Sequence, residues 1–313
     1  MLDVFRITVP AFLIIALGFA AVRGGLFDKA ETRVLGKFAV NIALPAMLLK
    51  VLTERPFVEI LNVSYLSAYA AGSIAAFAAG IAYAHRVQKR PFQASVVYGM
   101  GVSQSNSAFI GYPIVAQVVG APAGIALALC FVVENLLIMP LTLALAESSG
   151  GNGEKIHRVV IGTFSRLAKN PLIIAIVVGF TLSLMGIRLP SAVARATEIL
   201  SASAGGVALF VIGGTLVGIK VRGMRRQMAQ IVVGKLVFHP LFVLIALALV
   251  PPLAPELRIA AICFACMPMA SMFPIIAQKF GQEELPAAAL MAATITSFFS
   301  VSAVIWMLGP KLG

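Results

Sequence analysis

The sequence predicts an all-α polytopic membrane protein, ten transmembrane helices arranged as two inverted five-helix repeats, with helices four and nine broken. Three observations predict it. Of 313 residues, 60% are hydrophobic and only 12% charged, where a soluble domain carries about 25% charged residues. Apolar runs of the roughly 20 residues that one helical crossing needs fill almost the whole chain. An octapeptide, "PIVAQVVG" at 113–120, also returns 161 residues later as "PIIAQKFG" at 274–281.

Apolar runs and their breakers place spans near 4–22, 34–52, 60–84, 93–119, 123–146, 170–187, 196–219, 228–250, 257–280 and 286–308. Span one has the look of a signal peptide, but Pro10 and Gly18 have counterparts in span six, so it is expected to be retained. Span two, "FAVNIALPAMLL", carries Asn41 inside the apolar run, with Lys37 near its end, where it is expected to snorkel. Span four holds Ser103, Gln104, Ser105, Asn106 and Ser107, then Gly111 and Pro113. Span five holds Glu134 and Asn135. A Ser/Gly-rich polar stretch then separates two halves of five spans. Span seven contains "GTLVG" at 214–218, which matches a GxxxG packing pattern. Span eight carries Lys235 and His239, and span nine has Pro268 and Pro274 with Ser271 between them.

Shifting the second half over the first by 161 residues aligns Pro10 with Pro171, Gly18 with Gly179, Gly25 with Gly186 and Pro91 with Pro252. Proline and glycine impose the strongest backbone constraints in a membrane helix, so their joint recurrence predicts a duplicated fold. The expected units are 1–146, a connector at 147–169, and 170–313. An odd number of crossings per unit inverts the second relative to the first, an architecture typical of secondary transporters. Connectors after the odd-numbered spans carry 15 Lys and Arg, against 7 on the other side. The positive-inside rule therefore places both termini outside the cytoplasm.

Pro113 lacks an N–H and clashes with the carbonyl four residues back, which predicts a break near Phe109. Irregular backbone at this depth is tolerated only against protein or a wet cavity. The half-helix after such a break offers free N–H groups and a positive dipole end, which suit an anion. A proline kink with Ser and Asn bonded inside the bundle is the competing reading. Its recurrence in inverted orientation favours two breaks that face each other across one site.

Glu134 is the clearest ionisable residue inside a span, and a carboxylate there costs about 2.5–3.5 kcal/mol on insertion scales. It is a candidate for proton coupling, for a structural pair with Lys235 or His239, or for a substrate or cation contact. Asn41 and Asn135 either cap backbone freed by a proline or touch substrate. The net charge of +12 is spread over short connectors with no basic run, so no nucleic-acid partner is expected. Cys130, Cys263 and Cys266 lie in apolar segments and are expected to be small buried hydrophobes rather than a disulfide or redox pair. No HExxH, P-loop or clustered His and Cys ligands occur, so no enzyme, metal or cofactor is expected.

At "FAVNIALPAMLL", "SNSAFIGYPIV", "LAKNPLIIAIVVGF", "ASAGGVALFVIGGTLVG" and "MPMASMFPIIAQKFG" the chain resembles the auxin efflux carrier family, which includes plant PIN proteins and bacterial malonate and malate permease-like carriers. The resemblance implies a scaffold of spans 1, 2, 6 and 7 and a moving transport domain of spans 3–5 and 8–10. It also implies broken helices that cross at Pro113 and Pro274, with organic anions bound beside the crossing. Asn106 matches the family's polar contact on span four, and Asn135 a polar position on span five. Relatives often place Gln or Asn after the first proline of span nine, where this chain has Met269, with Ser271 two residues on. The expected function is secondary transport of small mono- or dicarboxylates across a bacterial inner membrane by an elevator-type mechanism. A homodimer through the scaffold is also implied. A sodium-coupled bile-acid-type symporter and a channel or lipid-handling protein are the alternatives; span nine lacks the acidic and amide groups a sodium site wants, so sodium-independent transport is expected.

Overall fold

The computed structural model describes residues 2–148, 162, 165, 168–219 and 224–308. Most of the expected 147–169 connector lies outside these residues, with Lys155, Arg158 and Arg166, as do Lys220, Arg222 and Lys311. Among the described residues the structure is helical, with one isolated bridge and no strand. Besides a single helical turn at Phe57–Ile60, its helices are α1 (Leu2–Arg23), α2 (Lys29–Thr53), α3 (Val63–Val87), α4 (Phe92–Ser103), α5 (Ser107–Val119) and α6 (Pro122–Ser148). After them come α7 (Pro171–Leu184), α8 (Ser191–Thr215), α9 (Arg225–Ala248), α10 (Pro255–Ala265), α11 (Phe273–Gln278) and α12 (Glu284–Leu308).

Seven of these, α1, α2, α3, α6, α8, α9 and α12, are long and apolar enough to cross a membrane, and α5 and α7 are shorter apolar helices. Leu13 and Leu17 on α1 and Phe299 on α12 are more than half exposed, as an outer face turned to lipid requires. Helix starts follow local chemistry. Asp28 and Glu31 form a reciprocal capping box at α2, Asn62 caps α3 through the Tyr65 N–H, and Asn170 caps α7 ahead of Pro171.

Prolines inside the helices do not break them. Four π turns, Ala39–Ala43, Ser107–Gly111, Val133–Ile138 and Gly234–Phe238, each end two residues before a proline: Pro45, Pro113, Pro140 and Pro240. Widening one turn to i→i+5 spacing moves the carbonyl that the pyrrolidine ring would strike and absorbs the missing N–H. In α5 the Tyr112 N–H bonds Ser107 O, and the chain passes Pro113 without interruption. The expected break at Pro113 is therefore corrected. The interruption lies at 104–106, where α4 ends and before α5 begins.

Glycines at the octapeptide ends share a conformation: Gly120 and Gly281 both have φ of 69°. Gly25 and Gly186, also 161 residues apart, have φ of 79° and 66°. These values fall in the left-handed region, where a Cβ is strained. Close backbone approach explains other glycines. Gly18 of α1 lies on the Phe210 backbone of α8, Gly213 of α8 lies on the Ile15 carbonyl of α1, and Gly179 of α7 faces Leu52 of α2. The GxxxG expectation at 214–218 fails for a physical reason. Gly214 does pack closely, against Val22 of α1 and Thr32 of α2, but Gly218 lies beyond the end of α8 at φ 82°, and the second close approach to α1 is made by the adjacent Gly213.

Side chains pack into two apolar cores. The larger gathers the start of α3, the start of α6, the Leu257–Met267 segment and the helices α1, α2, α5, α7 and α8; the smaller gathers α4, α11 and the ends of α3 and α6. The chain crosses from one core to the other between Tyr69 and Ala76, Val102 and Ala108, Val133 and Ile138, and Leu236 and Val243. A polar layer fills that seam.

Candidate functional site

Two interrupted helices meet in the seam. Gln104 to Asn106 follow α4, and Cys266 to Met272 follow α10, in extended or turn conformations. They pair as a short antiparallel bridge at Ser105 and Met269. The Asn106 N–H donates to Pro268 O at 2.8 Å, and the Ala270 N–H donates to Gln104 O at 3.3 Å. Each interruption thus satisfies backbone groups that the other exposes, as a water-poor interior demands. The Asn106 side-chain amide adds a hydrogen bond to Ser271 Oγ at 2.8 Å.

Behind the crossing lies a buried polar chain. Glu134 Oε1 accepts from Ser107 Oγ at 2.6 Å and from the Tyr69 hydroxyl at 3.0 Å. Lys235 Nζ contacts Ser105 Oγ at 2.7 Å, Ala265 O at 2.9 Å and His239 Nδ1 at 2.6 Å, which uses all three ammonium donors. With Nδ1 accepting, the imidazole proton sits on Nε2, 3.0 Å from Ser73 Oγ. A direct pair between Glu134 and Lys235 or His239, one of the three roles open to the carboxylate, is not formed. Ser105 Oγ and the Tyr69 hydroxyl, 3.5 Å apart, stand between the carboxylate and the ammonium. Glu134, Lys235 and His239 are all buried, and an ion without several hydrogen bonds is not tolerated at such depth. The π turns serve this placement: Ser107, Glu134 and Lys235 each lie within one, and His239 directly follows the turn that holds Lys235. Ser103 Oγ and Gln104 Oε1, at the end of α4, are buried without a hydrogen-bond partner.

In front of the crossing is a cavity of about 560 Å³ whose walls include Ser105, Asn106, Ser107, Glu134, Asn135 and Ser271. Met269 is fully buried and reaches the crossing through its backbone. Asn41 lies in a neighbouring cavity of about 580 Å³. The amide nitrogens of Asn41 and Asn135 donate to carbonyls four residues back, Lys37 O and Phe131 O, so both serve backbone while lining space. A Cβ on Gly111 would lie 2.8 Å from the Phe264 ring. Pro113 sits against Gly205 of α8, and Pro274 occupies the first turn of α11. The Pro268 carbonyl is the acceptor at the bridge. All three cysteines are buried and free.

Sequence reasoning passed over Tyr69 and Ser73, which bring α3 into the polar chain, and Asn170 and Lys279, which line the cavity. A signal existed for the first two: hydroxyls four residues apart put both on one face of an otherwise apolar helix.

Comparison with known proteins points the same way. The family profile described as "Membrane transport protein" matches residues 3–307. A Rhizobium meliloti (strain 1021) protein named "Putative malonate transporter" is 24% identical over 311 residues, covering 98% of this chain and 97% of its own. The "Uncharacterized transporter YfdV" of Escherichia coli (strain K12) is 24% identical over 307 residues, covering 97% and 96%. The mouse "Lysosomal cholesterol signaling protein" is 24% identical over 253 residues, 76% of this chain but 29% of its own length. Apolar helices, a buried polar crossing and a profile match over nearly the whole chain together establish an integral membrane transporter, not an enzyme, and the chain belongs to the membrane transport protein family that contains the auxin efflux carriers.

Proposed function

We propose that the protein is a secondary carrier of small organic anions, mono- or dicarboxylates, built from inverted repeats at 1–146 and 170–313 and working by an elevator-type movement. One observation carries this reading: two interrupted helices pair antiparallel beside a polar cavity, with Asn106, Ser107 and Ser271 at its wall. The α5 start presents unpaired N–H groups there, next to side-chain donors, and that combination favours a carboxylate. The name of the Rhizobium relative supports malonate as the first anion to assay.

Paired positive-φ glycines at 25 and 186 and at 120 and 281 support the repeat. The polar chain supports a moving unit of α3–α6 and α9–α12, because its hydrogen bonds join α3, α4, α6, α9 and α10 into one body. On this reading α1, α2, α7 and α8 form the scaffold and the homodimer contact, in a bacterial inner membrane with both termini outside the cytoplasm. Uptake and counterflow of labelled carboxylates in proteoliposomes test the function. A protein that neither binds nor moves any of a broad carboxylate panel refutes it.

Coupling is assigned to the chain from Glu134 to His239. Glu134→Gln removes the carboxylate but keeps its acceptor oxygen, and it is expected to abolish the pH dependence of transport. Wild-type pH dependence in that variant excludes Glu134 as the proton site. One observation favours a second reading, a monovalent cation at the α4 end: Ser103 Oγ and Gln104 Oε1 are buried acceptors without partners. Sodium-stimulated transport lost in Gln104→Leu would support it, and transport indifferent to sodium and potassium gradients would remove it.

A further inference from the structure

The second cavity, about 580 Å³, lies between the start of α2 and the end of α8. Its walls include Lys29, Arg33, Lys37 and Asn41, and no acidic residue. These four recur every four residues, so they form one stripe on α2 with steps of about 6 Å along the axis. Val40, Phe109, Met272 and Ile275 belong to the walls of both this cavity and the one at the crossing. These four apolar side chains form a partition that borders both cavities, with the basic stripe on one side and Asn106 and Ser271 on the other.

Three like charges at successive i, i+4 positions destabilise a helix, and among the described residues none of the three has an ion-pair partner. Lys29 has a local structural role, since its Nζ lies against Gly218 just past the α8 end, where helix carbonyls favour a cation. The positive-inside bias fits the sign of Arg33 and snorkelling fits the position of Lys37, but neither accounts for the two lining one cavity in a single stripe. Their side chains are exposed to the cavity, beside Asn41 at its inner end.

We propose that Lys29, Arg33 and Lys37 form a peripheral binding subsite for the carboxylate substrate, on the side that the positive-inside count makes cytoplasmic, where it is captured before it passes the partition to the crossing. The subsite rests on the carrier function proposed above and adds a preference: a dicarboxylate engages two successive cations of the stripe, while a monocarboxylate engages one. The Arg33 guanidinium offers a bidentate fork to one carboxylate, and the ammonium of Lys29 or Lys37 takes the other as a point charge. A cleft lined by one sign of charge concentrates its counter-ion, so the stripe governs capture rather than the movement itself.

The test compares wild type with K29Q/R33Q/K37Q and with Arg33→Gln alone, in neutral phosphatidylcholine liposomes and in liposomes containing phosphatidylglycerol. Labelled malonate and acetate are the probes. At low salt the triple variant is expected to raise KM for malonate about tenfold and the single variant about threefold, with turnover unchanged, a loss of the size that charged clefts confer. The effect on acetate is smaller. Both differences shrink at 1 M salt, where the screening length is about 3 Å. Should the triple variant fail to fold, Arg33→Gln carries the test. If wild type moves malonate and KM ignores the substitutions at low salt, the subsite is wrong and the carrier stands. A difference confined to phosphatidylglycerol liposomes assigns the stripe to lipid headgroups and also overturns the proposal. If wild type binds no carboxylate, both readings fall.

Discussion

The interruption between α4 and α5 and the one between α10 and α11 share a backbone bridge but little else. The first is three residues long, carries Gln104, Ser105 and Asn106, and gives way at once to a 13-residue helix. The second runs over seven residues from Cys266 to Met272, presents Met267 and Met269, and leads into a six-residue helix. In the first, side chains provide the polar contacts. The second adds one side chain beyond the shared main-chain bridge, the Ser271 hydroxyl bonded to Asn106. A carrier that divides labour in this way should be sensitive to side-chain changes on one strand of the crossing and to shape on the other.

Lys235→Ala should strike hardest, because it leaves Ala265 O, Ser105 and His239 without their shared donor. Losses for breaking a buried charged cluster run to about 3–5 kcal/mol, so thermal unfolding in detergent should show a large fall in Tm or no folded protein. Wild-type Tm would mean that the cation is dispensable. Gly111→Ala places a methyl against the Phe264 ring and should cost about 1–3 kcal/mol, the usual range for overpacking. A fall of only a degree or so would show that α5 and α10 are free to separate. Asn106→Ala removes the side-chain amide at the crossing while the bridge remains, and about 1–1.5 kcal/mol per lost hydrogen bond predicts roughly tenfold weaker substrate binding. Titration calorimetry with malonate reads it directly, and unchanged affinity removes Asn106 from the site. Ser271→Ala should weaken binding only about threefold, since Asn106 keeps its other donor and acceptor. An equal loss in both variants would erase the asymmetry between the two strands. Pro113→Ala should cost less than about 1 kcal/mol and leave transport near wild type, because the π turn ahead of it is built into the packing. Loss of transport there would restore Pro113 as a functional helix break.

Much of the architecture was legible because its causes are local. Apolar runs and caps such as Asn170–Pro171 locate the helices, and the glycines at 25, 120, 186 and 281 recur because each occupies a backbone conformation that other residues avoid. The polar residues of spans four, five and eight announce themselves by being polar at depth. Which of them touch does not follow from the sequence. Ser105 rather than Glu134 takes the lysine because span eight faces span four at that level, and only packing decides this. Ser73 escaped attention because a serine or threonine hydroxyl in a membrane helix commonly bonds its own backbone, as Thr142 and Thr294 do here, and Tyr69 because a tyrosine ring also passes as apolar packing. Pro113 misled for a related reason. A missing N–H states that a helix must adjust, but not whether it snaps or widens.

The widened turns have one more consequence. Each holds one residue more than the α-helix around it needs, and a residue is worth about 100° of rotation. Deleting a single residue from Val133–Ile138 would let α6 close into an ordinary spiral with its hydrogen bonds intact, yet would swing everything beyond the deletion by that angle. Thr142 and Ala146, now interior, would turn away from their present neighbours. Such a deletion would be silent to a test of helicity and ruinous to the fit, a frameshift written in angle rather than in code.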